Sequence, residues 1–176
     1  MFHMDLKQYI RDIPDFPKKG ILFHDVTTLF KEADALDYVV NELTKRFINY
    51  KFGYIAGIEA RGFILAGALA IKLNCGMIPI RKPGKLPYHT ISETYELEYG
   101  TDKLEIHEDA VKKGDKVLVI DDLVATGGTL LAGVKLIEKL GAEVVGVGAI
   151  IDMPELGGRT ILKNYDYQYL IVYEGH

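Results

Sequence analysis

Apolar positions along the chain follow two rhythms. Between Asp34 and Phe47 the residues Leu36, Val39, Val40, Leu43 and Phe47 recur at helical spacing, with Asp34 placed to cap the start. "GFILAGALAIKL" (62–73) and the stretch from Leu130 to Leu140 predict two further helices, the second ended by Gly141. Short apolar runs lie between and around them. "YIAGIE" (54–59), "GMIPI" (76–80), "KVLVI" (116–120), "EVVGVGAII" (143–151) and "YLIVY" (169–173) predict buried strands. Strands alternating with helices imply the α/β class: a mainly parallel, twisted sheet with helices on both faces.

The remaining segments are less regular. "DLKQYIRDI" predicts a short helix that stops before Pro14 and Pro17, and "ILFHDV" reads as extended. "YELEY" and "KLEIH" alternate on either side of Gly100-Thr101-Asp102, which predicts a hairpin. Residues 81–94, "RKPGKLPYHTISET", carry two prolines, one glycine and three cations, and predict a long polar loop. No repeat, low-complexity tract or linker divides the chain, so residues 1–176 are expected to form a single domain.

Composition narrows the class. Apolar residues make up 48% and charged residues 26%, a soluble globular balance. A formal net charge of −4 argues against nucleic acid as a partner. Cys75 stands alone, which rules out a disulfide within the chain and fits a reducing compartment. "MFHMDLKQYI" has no signal-peptide apolar core. The longest wholly apolar run, "FILAGALAI" (63–71), is far short of the roughly 20 residues that span a bilayer. A cytoplasmic protein with no membrane partner is expected. The five histidines are scattered without metal-ligand spacing, so no protein-built metal site is assigned.

The chemistry concentrates in "VLVIDDLVATGGTL" (117–130). Asp121 and Asp122 end an apolar strand, where open α/β sheets bind their ligands. Thr126-Gly127-Gly128-Thr129 then opens a helix, whose free N–H groups and dipole favour a phosphate. The glycines would let an anion approach the backbone closely. Acids repel anions, so they must meet hydroxyls or a cation. A sugar phosphate satisfies both halves, with phosphate in the turn and a ribose diol on the acids. A magnesium ion on the same ligand would suit the acid pair. A P-loop NTPase also has an acidic strand of this kind, but the chain has no G-x-x-x-x-G-K-[ST]. "GVG" at 146–148 lacks the third glycine of a dinucleotide fingerprint.

This stretch resembles the 5-phosphoribosyl 1-diphosphate signature of the type I phosphoribosyltransferases. "FPKKGILFHDVTTL", "IEARGF", "RKPGKLP" and "YELEYGTDKLEIH" narrow the resemblance to the adenine phosphoribosyltransferases, from about Ile10 to Tyr173. The resemblance implies the type I phosphoribosyltransferase fold, with residues 1–30 contributing a small N-terminal hood over the base. It implies transfer of ribose phosphate to adenine, giving AMP and pyrophosphate in purine salvage, with Mg²⁺ and a homodimer. It assigns Asp121, Asp122, Ala125, Thr126, Gly127, Gly128 and Thr129 to the sugar phosphate. Ala60, Arg61, Arg81, Lys82 and Lys85 go to the diphosphate, with a cis peptide at Glu59–Ala60 and one cation acting across the dimer. Glu98 becomes the proton-handling catalytic residue, and Leu22, Phe23 and His24 the adenine pocket. Many relatives have Arg or Lys where His24 stands, which opens the question of its side-chain role. Two other readings remain at this point: transfer to another base such as hypoxanthine or xanthine, and a non-catalytic sensor of the same sugar diphosphate.

Overall fold

A computed structural model describes residues 3–97 and 100–174. After a 3-10 turn at Leu6–Tyr9, strands β1 (Arg11–Pro14) and β2 (Leu22–Asp25) pair antiparallel as a separate two-stranded sheet. The chain continues through α1 (Thr27–Phe30), α2 (Ala33–Phe47), β3 (Tyr54–Ile58), α3 (Arg61–Leu73) and β4 (Gly76–Ile80). A hairpin of β5 (Thr90–Glu96) and β6 (Thr101–His107) follows. Then come β7 (Lys116–Ile120), β8 (Leu123–Val124), α4 (Gly128–Lys139), β9 (Glu143–Asp152), α5 (Gly158–Ile161) and β10 (Tyr167–Val172).

The main sheet runs β10-β9-β7-β3-β4, every pair parallel, with β8 added beside β9. Strand β7 shows why its sequence is an unbroken apolar run. Val117 and Val119 pack towards α4 and the hairpin, against residues such as Val134, Leu104 and Ile106. Leu118 and Ile120 pack the other way, against Leu43, Phe47, Leu65 and Leu69 of α2 and α3. Both faces are dry, so every position must be apolar. Burial of each such side chain contributes roughly 1.5–3 kcal/mol. The expected parallel sheet with helices on both faces is therefore the structure found.

Several boundaries differ from the sequence reading. Only Leu6–Tyr9 is helical at the N-terminus, because the backbone of β1 finds a partner in β2, with Arg11 opposite Asp25. Asp34 does not cap α2. Glu32 holds the N-cap position, without a side-chain bond, and Asp34 lies in the first turn, where its charge still meets the helix dipole. Helix α4 begins at Gly128, two residues before the predicted Leu130. The predicted loop 81–94 is shorter. Thr90–Glu96 is strand, paired along its length with β6, and Arg81 bridges Glu105. Its polar residues occupy the wet positions of a hairpin whose partner lies further along the chain. Thr101 and Asp102 belong to β6 rather than to the turn, and Leu97 N–H donates to the Gly100 carbonyl at 2.9 Å.

Candidate active site

The ends of β3, β4 and β7 meet at a cavity of about 290 Å³. Glu59 and Arg61 come from the end of β3, Lys82 from beyond β4, and Asp121 and Asp122 from the end of β7. The turn from Ala125 to Gly127, with Thr129, closes one side. A larger hollow of about 560 Å³ lies beyond Tyr95 and Gly128. Its walls bring Lys135, Glu93 and Ile161 together and lack the acid pair, so the chemistry belongs to the smaller cavity.

The two acids are buried and differently held. Asp122 Oδ2 accepts from Arg61 Nε at 2.5 Å. Asp121 Oδ1 accepts from the Asp122 N–H at 2.8 Å. Burial, and then the neighbouring Asp122 charge, push the Asp121 carboxyl well above the usual carboxylate range. Burial works against the Arg61 charge, but the Asp122 carboxylate outweighs it and holds the guanidinium above its ordinary value. Only Nε of Arg61 donates to Asp122, so its outer N–H groups remain for an anion.

The turn is shaped by the protein behind it. Gly127 has φ +83°, and a Cβ there would stand 2.9 Å from Cα of Gly158. A Cβ on Gly128 would stand 2.9 Å from the Glu96 carbonyl of β5. This corrects the sequence reading: these glycines yield to neighbouring backbone, and their missing side chains do not face the cavity. The N–H groups of Thr126, Gly127 and Thr129 have no acceptor among the described residues. An acceptor-poor turn at the start of α4 is suited to an anion.

The cations divide. Lys82 lines the cavity, and its ammonium reaches Tyr95 Oη at 2.7 Å and the Asp102 carboxylate. Arg81 points aside: Nε donates to Glu59 at 2.9 Å, and the guanidinium lies 5.8 Å from the Phe63 ring. Lys85 and Ala60 do not line the cavity either. Of the five residues expected on the diphosphate, the cavity gathers Arg61 and Lys82. The expected cis peptide at Glu59–Ala60 is present.

Strand β2 stands beside Arg61, whose guanidinium lies 5.3 Å from the Phe23 ring. His24 takes the opposite strand face, as alternation requires. Its ring is buried, bonds Asp12 at 2.6 Å and stacks on Tyr173 at 3.9 Å. Burial, then the charges of Asp12 and Asp5, push the Tyr173 hydroxyl up to about 12. Leu22 is 40% exposed. Glu98 lies outside the described residues.

Three residues of the site escaped the sequence reading as functional groups: Glu59, Tyr95 and Asp102. Glu59 accepts from both Arg81 Nε and the Lys82 N–H, the latter at 2.7 Å. Its position two residues before Arg61 was a visible signal. Tyr95 and Asp102 face each other only through the β5–β6 register, which no local pattern reveals.

Comparison with known proteins agrees with this geometry. The phosphoribosyl transferase domain family matches residues 26–171. The adenine phosphoribosyltransferase of Brachyspira hyodysenteriae is 55% identical over 170 residues, 97% of this chain and all of that protein. The crystal structure of adenine phosphoribosyltransferase from Thermoanaerobacter pseudethanolicus superposes with a TM-score of 0.93 at 50% identity, covering 96% of this chain and 98% of that one. The Saccharomyces cerevisiae enzyme, solved with adenine and an imino-altritol bisphosphate, gives a TM-score of 0.88 at 36% identity over 95% of this chain and 97% of that one. With a cavity that pairs an acid dyad to an open amide turn, the chain belongs to the phosphoribosyltransferase family, among the adenine phosphoribosyltransferases.

Proposed function

We propose that the protein transfers ribose 5-phosphate from 5-phosphoribosyl 1-diphosphate to adenine, releasing AMP and pyrophosphate in purine salvage. One observation carries the reading: two buried carboxylates share a single cavity with Arg61, Lys82 and a turn whose Thr126, Gly127 and Thr129 N–H groups have no acceptor among the described residues. Few ligands need a diol site, an anion site and a second anion site within such a volume. Asp121 and Asp122 hold the ribose hydroxyls. The amides of the Ala125–Thr129 turn hold the 5-phosphate. The outer donors of Arg61, together with Lys82, hold the diphosphate as it leaves. Neutral adenine is a poor nucleophile until its imidazole proton departs, and Glu98 is the group assigned to take it. The transition state resembles an oxocarbenium ion, which the Asp122 charge favours.

Among the described residues no cluster of three or more His, Cys, Asp or Glu side chains could hold a metal by itself. The Asp122 carboxylate fits a magnesium ion that arrives on the diphosphate, since such ions take one or two carboxylates plus phosphate oxygens. When bound, Mg²⁺ screens the negative charge of the leaving group. The reading includes a homodimer: Ile64 and Ile71 of α3 are 46% and 86% exposed, an apolar surface for a second copy. Arg81 and Lys85 lie outside their own cavity, which fits action across that interface. No helix among the described residues is long and apolar enough to cross a membrane. A lone cysteine suits a cytoplasmic setting. The β1–β2 sheet acts as the hood, within one domain.

Protein mixed with adenine, the sugar diphosphate and Mg²⁺ should form AMP and pyrophosphate in equal amounts. Binding without turnover would overturn the enzyme reading in favour of a sensor. The same assay with competing hypoxanthine tests base choice. Adenine needs a donor for N1 and an acceptor for its amine, and the extended backbone near Leu22 and His24 offers both. His24 is committed to Asp12 and Tyr173, so His24→Ala should loosen the hood yet keep most of the preference for adenine. A site built on such bonds rejects the wrong base by about 10⁴–10⁵. If hypoxanthine competes equally with His24→Ala, the side chain reads the base and the backbone account fails.

Gly127→Val and Gly128→Ala act on the turn itself. Strain of about 1–3 kcal/mol at such positions should raise the KM for the sugar diphosphate roughly tenfold or more. Steady-state kinetics should show a smaller change for adenine. An equal rise for both substrates would point to general misfolding.

A further inference from the structure

Behind the turn lies a fully buried carboxylate that this mechanism does not use. Asp152 ends β9 opposite Val124 of β8, one residue before the turn begins. Its Oδ2 accepts from Arg159 Nε at 2.7 Å, and its Oδ1 accepts from the Tyr167 hydroxyl at 2.9 Å. The Arg159 guanidinium also lies 4.8 Å from the Tyr169 ring. These contacts fix Arg159 within α5, and so fix its neighbour Gly158. Gly158 N–H donates to the Ala125 carbonyl at 3.1 Å. A Cβ on Gly158 would stand 2.6 Å from Val124 Cγ1 and 2.7 Å from that carbonyl, so the two backbones are in direct contact.

The consequence follows from peptide geometry. The Ala125–Thr126 bond is trans, and in a trans peptide the C=O and the following N–H point in opposite directions. Drawing the Ala125 carbonyl back to Gly158 aims the Thr126 N–H away from Gly158, towards the cavity that Thr126 lines. Gly127 is seated against the same residue. Asp152 is buried while the Arg159 side chain is 43% exposed, so the pair contributes little net stability, and what it supplies here is the position of Arg159 over Asp152 and the Tyr169 ring.

We infer that Asp152, Arg159 and Gly158 are positioning residues for the phosphate-binding turn, with the Asp152–Arg159 pair holding Gly158 so that the turn's amides face the 5-phosphate. This rests on the proposed assignment of the turn to that phosphate.

The test compares ligands with and without the phosphate. Arg159→Ala should weaken AMP binding about tenfold, the effect of one misaimed amide–phosphate hydrogen bond, and leave adenosine binding within about twofold. The KM for the sugar diphosphate should rise in parallel, with the adenine KM nearly unchanged. Arg159→Lys keeps a donor for Asp152 and should recover part of the loss. Gly158→Ala presses on the Ala125 carbonyl directly and should give the same split, whatever Arg159→Ala does to folding. Ile137→Val, a core change in α4 away from the turn, should lower Tm without the split. Equal losses for AMP and adenosine, or a lowered Tm with unchanged KM in both Arg159→Ala and Gly158→Ala, would overturn the inference. If the unaltered protein binds AMP no better than adenosine, the assignment of the turn to the phosphate fails instead.

Discussion

Asp122→Asn should lower kcat/KM by about 10²–10³, the usual cost of removing one transition-state contact. The substitution keeps the shape of the side chain and removes its charge. Two functions are lost together. The ribose ring loses an anion beside its developing positive charge. Arg61 loses the carboxylate that holds its Nε at 2.5 Å, and with it the aim of its outer donors. The sugar diphosphate KM should therefore rise along with the fall in kcat, while adenine binding changes less. Asp121→Asn should cost less. Burial and the Asp122 charge already favour the neutral form of Asp121, which an amide imitates more closely than it imitates an anion. Steady-state kinetics on both variants decide the matter. An unchanged rate in both would remove the acid pair from the mechanism.

Glu98→Gln should slow the forward reaction by about 10²–10⁴, the range for losing a positioned proton acceptor. AMP binding should stay largely intact, because the amide retains the size and an acceptor oxygen. Glu96→Gln is the control. The Glu96 side chain is exposed, and the contact of that residue with the site runs through its backbone carbonyl beside Gly128. Rates and AMP affinities of the two variants should separate cleanly. If they coincide, Glu98 belongs to the solvated side of the hairpin and another group must take the adenine proton.

The site was unevenly legible before folding. The acids and the turn are contiguous, and contiguity let their chemistry be read together. Arg61 follows a strand end in "GIEARG", and it reaches the cavity as expected. Arg81, Lys82 and Lys85 looked equivalent in a polar run, yet only Lys82 enters the cavity. Which cation does so depends on Glu59 and Asp102, from opposite sides of the run in sequence. His24 fell in the expected base pocket with the role of its side chain left open. Its ring stacks on Tyr173, 149 positions later, a contact that no local pattern signals.

The class of fold, the parallel strands and the motif of two acids followed by a glycine turn were legible in the sequence alone. Those features are local: periodic burial along one element, or donors and acceptors a few residues apart, are set by covalent spacing. Tertiary structure alone decided the β5–β6 register, the pairing of β1 with β2, the division of the cations and the reason for Gly127 and Gly128. Each of these depends on a partner distant in the chain. Gly158 lies about 30 residues from the turn it supports, and its fit is a matter of contact between backbones, for which sequence spacing carries no signal.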